Sequence, residues 1–182
     1  MTITKNDIVY CDANFLVAYG SKKAKQPEIQ KRARILFATL LISGCKIIAS
    51  NLTFDEAWLG IRRELGPKSI INNIRFMISK LIERVGLRLI NYGATEFSYS
   101  EIFNGLSSFT NKLLNHKNFN VMQFQNAAIG VKSALNNMNK FGLRPRDSFH
   151  LAIMKDNKTT HFISNDGHFK NKNQIGISLI NF

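Results

Sequence analysis

Short apolar runs alternate along this chain with longer stretches in which apolar residues recur at helical spacing. Five runs of four residues each are bounded by polar residues or glycine, which is typical of strands buried on both faces. They cover residues 8–11, 46–49, 87–90, 161–164 and 177–180. Because parallel strands are usually joined by helical crossovers, the alternation predicts an α/β fold with a central parallel sheet of four to five strands.

The stretches between these runs predict the helices. Pro27 opens one helix and Gly44 ends it, and each is a residue type favoured at that end. Further helices are expected over residues 50–65, 70–85, 95–141 and 146–156. The clearest apolar stripe consists of Phe124, Ala127, Ala128, Val131, Leu135 and Met138. Since no linker or repeat interrupts the pattern, we predict a single domain over residues 1–182.

The charge of the chain restricts its partners. Lysine and arginine number 25 against 12 acidic residues, so the formal net charge is +13. An excess of this size favours a polyanionic partner, and nucleic acid is the first candidate.

The cysteines and the apolar runs indicate where the protein is located. Cys11 and Cys45 are too few for a disulfide framework and form no zinc-binding CxxC pair. The chain has no signal-peptide pattern, and no apolar run approaches the roughly 18 residues that a membrane span needs. We therefore expect a cytoplasmic protein with no membrane association.

Four acidic residues occupy places where an α/β fold presents ligands. Asp12 follows the first strand, Glu56 lies one turn into a helix, Asp147 opens another helix, and Asp166 follows the strand at 161–164. Each has an ordinary alternative role, as a helix cap, a helix-dipole partner or a turn residue. Together they would repel one another unless a hard cation such as Mg²⁺ or Mn²⁺ joined them.

Neighbouring residues refine this set. Asp55 could replace Glu56 as a ligand, but Glu56 borders the face that we expect to be buried, whereas Asp55 is expected to face solvent. His150 lies on the same helical face as Asp147, where it could bind a metal or be packed and hydrogen-bonded. His168 is a weaker candidate for a substrate contact.

The motifs around these acids resemble the PIN-domain family of metal-dependent nucleases. The matching elements, in chain order, are Asp12-x-Asn14, Ser50-x-Leu52-x-x-x-Glu56, Asp147-x-x-His150-Leu151-Ala152 and Ser164-x-Asp166-x-x-Phe169. The resemblance implies a PIN-like three-layer α/β/α fold. It also implies hydrolysis of RNA phosphodiesters with Mg²⁺ or Mn²⁺, by one or two ions. Many bacterial and archaeal members are VapC-type toxins neutralised by a small antitoxin protein.

The resemblance assigns roles to individual residues. The expected catalytic residues and metal ligands are Asp12, Glu56, Asp147 and Asp166. Asn14 and Ser164 would orient these ligands. RNA would be bound by Arg144, Arg146 and Lys170. A homodimer is a further expectation.

This chain departs from the family pattern in two respects. The stretch between Glu56 and Asp147 is longer than a compact PIN domain needs, and residues 95–118 are interpreted as an added helical segment. We expect this segment to shape a surface for a partner or substrate, or simply to enlarge the core. His168 occupies a position where many relatives have a further acid, which weakens the case for a second metal ion.

Two other functional classes fit part of the pattern. A catalytically inactive PIN-like module that binds RNA would explain the charge, although four intact acids argue against it. A haloacid-dehalogenase-like phosphatase also has an aspartate after its first strand. It needs a second aspartate two residues later as general acid, and Asn14 takes that position here.

Overall fold

A computed structural model describes residues 2–20, 26–65, 99–170 and 176–182 of this chain. Their elements in chain order are β1 (Ile8–Cys11), α1 (Ala13–Gly20), α2 (Pro27–Ser43), β2 (Lys46–Ser50), α3 (Asn51–Leu65), α4 (Tyr99–Leu114), β3 (Phe119–Met122), α5 (Ala127–Phe141), α6 (Pro145–Asp156), β4 (His161–Ile163), α7 (Gly167–Lys170) and β5 (Ser178–Ile180). The helix predicted at 70–85 and the strand predicted at 87–90 lie outside the described residues.

The strands form one parallel sheet in the order β3-β2-β1-β4-β5. The central strand β1 pairs Tyr10 with Ile48 of β2 on one side and with Phe162 of β4 on the other. Because all strands run the same way, their carboxyl ends meet at one edge of the sheet, where an open α/β fold binds its ligands.

Helices cover both faces of this sheet. Val9 and Cys11 of β1 point into a larger core with Phe15 of α1 and Phe37 of α2. Tyr10, between them, points into a second core that contains residues of α6. This alternation along β1 gives three layers, as predicted from the sequence, and the three-layer α/β/α fold class is confirmed.

Local sequence signals agree with several helix ends. Pro27 begins α2, and Gly44 ends it with a φ of 70° in the left-handed region, where glycine is favoured. The amide nitrogen of Ile129 donates to the Asn126 side chain, which caps α5. None of the helices in the described part of the chain has both the length and the apolarity of a membrane span.

The prediction of continuous helix over residues 95–141 was wrong. Strand β3 interrupts it and forms an edge of the sheet beside β2, with Phe119 buried and Val121 partly exposed. A strand of only four residues has too short an alternation to outweigh the helical spacing on either side of it. Helix α1 was also missed, because it begins immediately after Asp12 without a polar linker.

The predicted apolar stripe of α5 is turned mostly to solvent. Val131 and Leu135 are exposed, whereas Gly130, Ala134 and Asn137 are buried. A small residue is needed at Gly130, because the ring of Phe124 packs against this position of α5 and an added Cβ would overlap it. Close packing of small residues and the polar contacts of Asn137, rather than side-chain hydrophobicity, therefore determine which face of α5 is buried.

The described part of the added segment packs on the domain. Helix α4 inserts Ile102, Leu106, Phe109 and Leu113 into the larger core. The indole nitrogen of Trp58 in α3 donates to the hydroxyl of Thr110 at 3.0 Å. Phe103 of the same helix is 61% exposed. Helix α4 is therefore part of the core, and a role for the segment in binding a partner or substrate stays a prediction.

Candidate metal centre

The four predicted acids line one cavity of about 620 Å³ at the carboxyl edge of the sheet. Asp12 directly follows β1, Glu56 lies in the second turn of α3, Asp147 in the first turn of α6, and Asp166 between β4 and α7. Asn14, His150, Arg144 and Arg146 also line this cavity. Four distant segments thus place carboxylates in a single concave site.

Asp12 is held by three donors. Its Oδ1 accepts from the amide nitrogen of Ala13 at 2.7 Å, and its Oδ2 accepts from Ser164 Oγ at 2.6 Å and Asn14 Nδ2 at 2.8 Å. Burial raises the pKa of Asp12, and the hydrogen bond from Ser164 opposes that rise only in part. A cation in the cavity would relieve the cost of keeping this carboxylate ionised.

Ser164 connects two of the acids. It is fully buried, and its Oγ donates to Asp12 while accepting from the amide nitrogen of Asp166 at 2.9 Å. The Asn14 amide also donates to this oxygen at 3.1 Å. The parallel pairing of β1 with β4 brings Asp12 beside Ser164, because the amide nitrogen of Asp12 donates to the carbonyl of Ile163 at 3.1 Å. Ser164 and Asn14 thus fix the orientation of Asp12.

Glu56 is placed between two basic side chains. Its Oε1 accepts from Arg146 Nη1 at 3.2 Å, and its Oε2 lies 3.2 Å from Nε2 of His150. Burial alone would raise the pKa of Glu56, but the hydrogen bond and charge of His150, together with Arg146, hold it below its usual value. The Glu56 side chain is 21% exposed and reaches the cavity.

A buried polar network behind His150 was not found from the sequence. The hydroxyl of Tyr10 lies 2.7 Å from His150 Nδ1, 2.7 Å from Ser50 Oγ and 2.9 Å from Thr53 Oγ1. Burial raises the pKa of Tyr10, so its hydroxyl stays protonated. A tyrosine inside an otherwise aliphatic strand was the available signal, but its partners lie 40 to 140 positions away in the chain.

Three potential ligand atoms form a compact group. One carboxylate oxygen each of Asp12 and Glu56 and one ring nitrogen of His150 all lie within 4.8 Å of one another. Oxygen and imidazole donors at this spacing could together hold a divalent metal ion. Among the residues that the structure describes, Asp147 and Asp166 line the same cavity without joining this group.

Some of the remaining predicted residues line the cavity, and others have side chains that the structure does not describe. Arg144 and Arg146 flank Pro145 at the start of α6 and line the cavity. The side chains of Lys170 and His168 are outside the described part of the chain. Asp55 is exposed, in contrast to its neighbour Glu56.

The fold is similar to that of known structures. VapC20 of Mycobacterium tuberculosis, a toxin that cleaves the sarcin–ricin loop, aligns over 91% of this chain and 95% of its own with 14% identity and a TM-score of 0.53. A chain of FitAB bound to an IR36 DNA fragment aligns over 95% of this chain and 94% of its own, with 15% identity and a TM-score of 0.46. No family model and no curated protein matches the sequence. The resemblance to PIN-domain proteins is thus confirmed at the level of the fold.

Proposed function

We propose that this chain is a metal-dependent endoribonuclease that hydrolyses RNA phosphodiesters, with Mg²⁺ or Mn²⁺ as cofactor. The observation that carries the proposal is the meeting of Asp12, Glu56, Asp147 and Asp166 in one cavity. A set of carboxylates beside two arginines suits an ion that must in turn bind an anionic substrate. The net charge of +13 supports RNA as that substrate.

The predicted site residues have different tasks in this proposal. Asp12 and Glu56 hold the ion, and Asp147 and Asp166 complete its surroundings directly or through water. When bound, a divalent ion supplies an activated water and neutralises charge on the phosphate. Arg144 and Arg146 bind the RNA backbone at the mouth of the cavity. Asn14 and Ser164 keep Asp12 in the orientation that binding requires.

We also propose that the protein acts as a toxin in the cytoplasm, with a small antitoxin protein as its partner. This part rests on the shared fold with VapC20, whose own activity is cleavage of the sarcin–ricin loop. Fold alone does not determine function, so this proposal needs its own test. Expression of the chain in bacteria should stop growth, and the Asp12→Asn variant should not. Equal growth with both proteins would contradict the toxin role.

The nuclease activity is tested with purified protein and end-labelled RNA, including ribosomal RNA. Cleavage should require Mg²⁺ or Mn²⁺ and should stop in EDTA. Replacement of a ligand should cost more than the roughly 10–100-fold typical of residues that only orient ligands, so Asp12→Asn should lose more than about 100-fold. Asp55→Asn removes an exposed charge beside Glu56 and should leave cleavage unchanged. Cleavage that persists in EDTA would refute the mechanism.

The two alternative functions predict different results. An inactive RNA-binding module would bind RNA without cleaving any substrate in either metal. A haloacid-dehalogenase-like phosphatase would need a proton donor at position 14. The amide of Asn14 instead donates to Asp12 Oδ2 and cannot act as a general acid, which disfavours that reading.

A further inference from the structure

We propose that His150 is itself a ligand, so that the ion sits in a mixed nitrogen–oxygen site that favours Mn²⁺ over Mg²⁺. This inference rests on the proposed function, because it concerns the same cavity. It adds a residue outside the set of four acids and predicts which ion the site prefers.

The spacing of the atoms fits coordination. His150 Nε2 lies 3.2 Å from Glu56 Oε2. One ring nitrogen of His150 and one carboxylate oxygen each of Glu56 and Asp12 all lie within 4.8 Å of one another. In an octahedral site with bonds of about 2.1 Å, adjacent ligand atoms are roughly 3 Å apart and opposite ones roughly 4.2 Å.

The ring of His150 is oriented from behind. Its Nδ1 is 2.7 Å from the hydroxyl of Tyr10, and the two rings meet edge to face. If Tyr10 donates to Ser50 Oγ, the hydroxyl oxygen of Tyr10 is left to accept the Nδ1 hydrogen. The lone pair of Nε2 then points toward Glu56. Histidines that bind metals commonly donate their second ring nitrogen to a fixed acceptor in this way.

This arrangement has an electrostatic consequence. A bare Nε2 and a carboxylate oxygen at 3.2 Å repel each other unless a proton or a cation lies between them. His150 is 3% exposed, belongs to the middle of α6 and lines the cavity, so the ring is largely buried at the wall of the site. The side chain is therefore preorganised to bind a cation between Nε2 and the carboxylate of Glu56.

The choice of ion follows from the ligand types. Mg²⁺ binds almost entirely through oxygen, keeps several waters and tolerates little distortion, whereas imidazole is a good ligand for transition metals. A site in which one nitrogen accompanies two carboxylates should bind Mn²⁺ more tightly than Mg²⁺. Removing the nitrogen should reduce this preference.

The test uses the full-length protein with Mn²⁺ as a paramagnetic probe. Electron spin-echo spectroscopy of the bound Mn²⁺ should detect the coupling of a directly bound imidazole nitrogen. His150→Gln keeps a polar group for Tyr10 but removes the imidazole, and the coupling should disappear. His161→Gln is the matched control, because His161 lies at the start of β4 beside Asp7, 3.4 Å away. The imidazole nitrogen coupling of Mn²⁺ bound to His161→Gln should match that of the wild-type protein.

Calorimetry gives an independent measurement of the ion preference. The ratio of Mg²⁺ to Mn²⁺ dissociation constants should fall in His150→Gln and stay unchanged in His161→Gln. Mn²⁺ that binds without imidazole coupling would overturn the inference while leaving a metal-dependent ribonuclease intact. Imidazole coupling without RNA cleavage would support the ligand and contradict the proposed function. Failure to bind Mn²⁺ at all would overturn both.

Discussion

At the scale of single residues, the site depends on how a buried charge is stabilised. Asp12 accepts three hydrogen bonds, yet burial still raises its pKa. Glu56 has two basic neighbours and a lowered pKa. Two carboxylates of one cavity thus differ in their readiness to ionise, and Asp12 is the one that gains most from a cation.

Ser164→Ala should weaken metal binding while the fold is preserved. The substitution removes the 2.6 Å donor to Asp12 and the acceptor for the amide nitrogen of Asp166. Loss of such an orienting contact costs about 10–100-fold in metal affinity or activity, and we expect a loss in that range by calorimetry and RNA cleavage. Ser107→Ala removes a comparable hydroxyl from α4 and should have no effect. Unchanged affinity in Ser164→Ala would show that Asp12 needs no support.

At the scale of elements, the sequence predicted the strands better than the packing of the helices. The positions of β1, β2, β4 and β5 were recognised because each is a short run rich in apolar residues between polar residues or glycine. Strand β3 was missed because its pairing with β2 is decided by the neighbouring strand rather than by its own four residues. The apolar stripe of α5 faces mostly solvent, since small residues and Asn137 form the buried contact of this helix.

Gly20→Ala should destabilise the protein by about 1–3 kcal/mol, since overpacking a close contact strains both elements. A Cβ at the end of α1 would overlap the ring of Phe109 in α4. Gly105→Ala, at an exposed position of α4, should instead be neutral or stabilising by up to about 1 kcal/mol. Urea unfolding measures both effects. Wild-type stability in Gly20→Ala would mean that α1 and α4 separate without cost.

Asp7→Asn should reduce stability in a way that depends on pH. A backbone hydrogen bond from Thr4 is the largest cause that holds the pKa of Asp7 below its ordinary value. A folded pKa below the unfolded one gives stability that is present above the unfolded value and is lost as the pH falls through the folded value. The difference in unfolding free energy between wild type and variant should therefore be constant near neutral pH and shrink below about pH 4. A difference that is independent of pH would contradict this cause.

At the scale of the whole molecule, positively charged side chains lie at both edges of the sheet, but the cavity lies at only one. Lys46 is exposed at the start of β2, at the amino edge, whereas Arg144 lines the cavity at the carboxyl edge. Both belong to the excess of positive charge, but only one is placed to contact RNA bound in the cavity. Position relative to the site, rather than net charge, should decide which cations matter.

Arg144→Ala should lower the salt dependence of RNA binding more than Lys46→Ala does. Each phosphate contact with single-stranded nucleic acid contributes about 0.7 to the slope of log affinity against log salt. We expect the slope to fall by roughly that amount in Arg144→Ala and to stay at the wild-type value in Lys46→Ala. Fluorescence anisotropy with a labelled RNA, in the Asp12→Asn background to prevent cleavage, measures the slopes. Equal slopes in both variants would place the RNA elsewhere.

The sequence by itself determined the α/β class and the position of each acid relative to its strand or helix, because both depend on residues a few positions apart. Tertiary structure decided what those acids contact. The hydrogen bonds between Ser164 and Asp12 and between Tyr10 and His150 join residues 152 and 140 positions apart. Local periodicity carries no information about such pairs, whereas parallel pairing of β1 with β4 and packing of α6 on the sheet bring them within hydrogen-bonding distance.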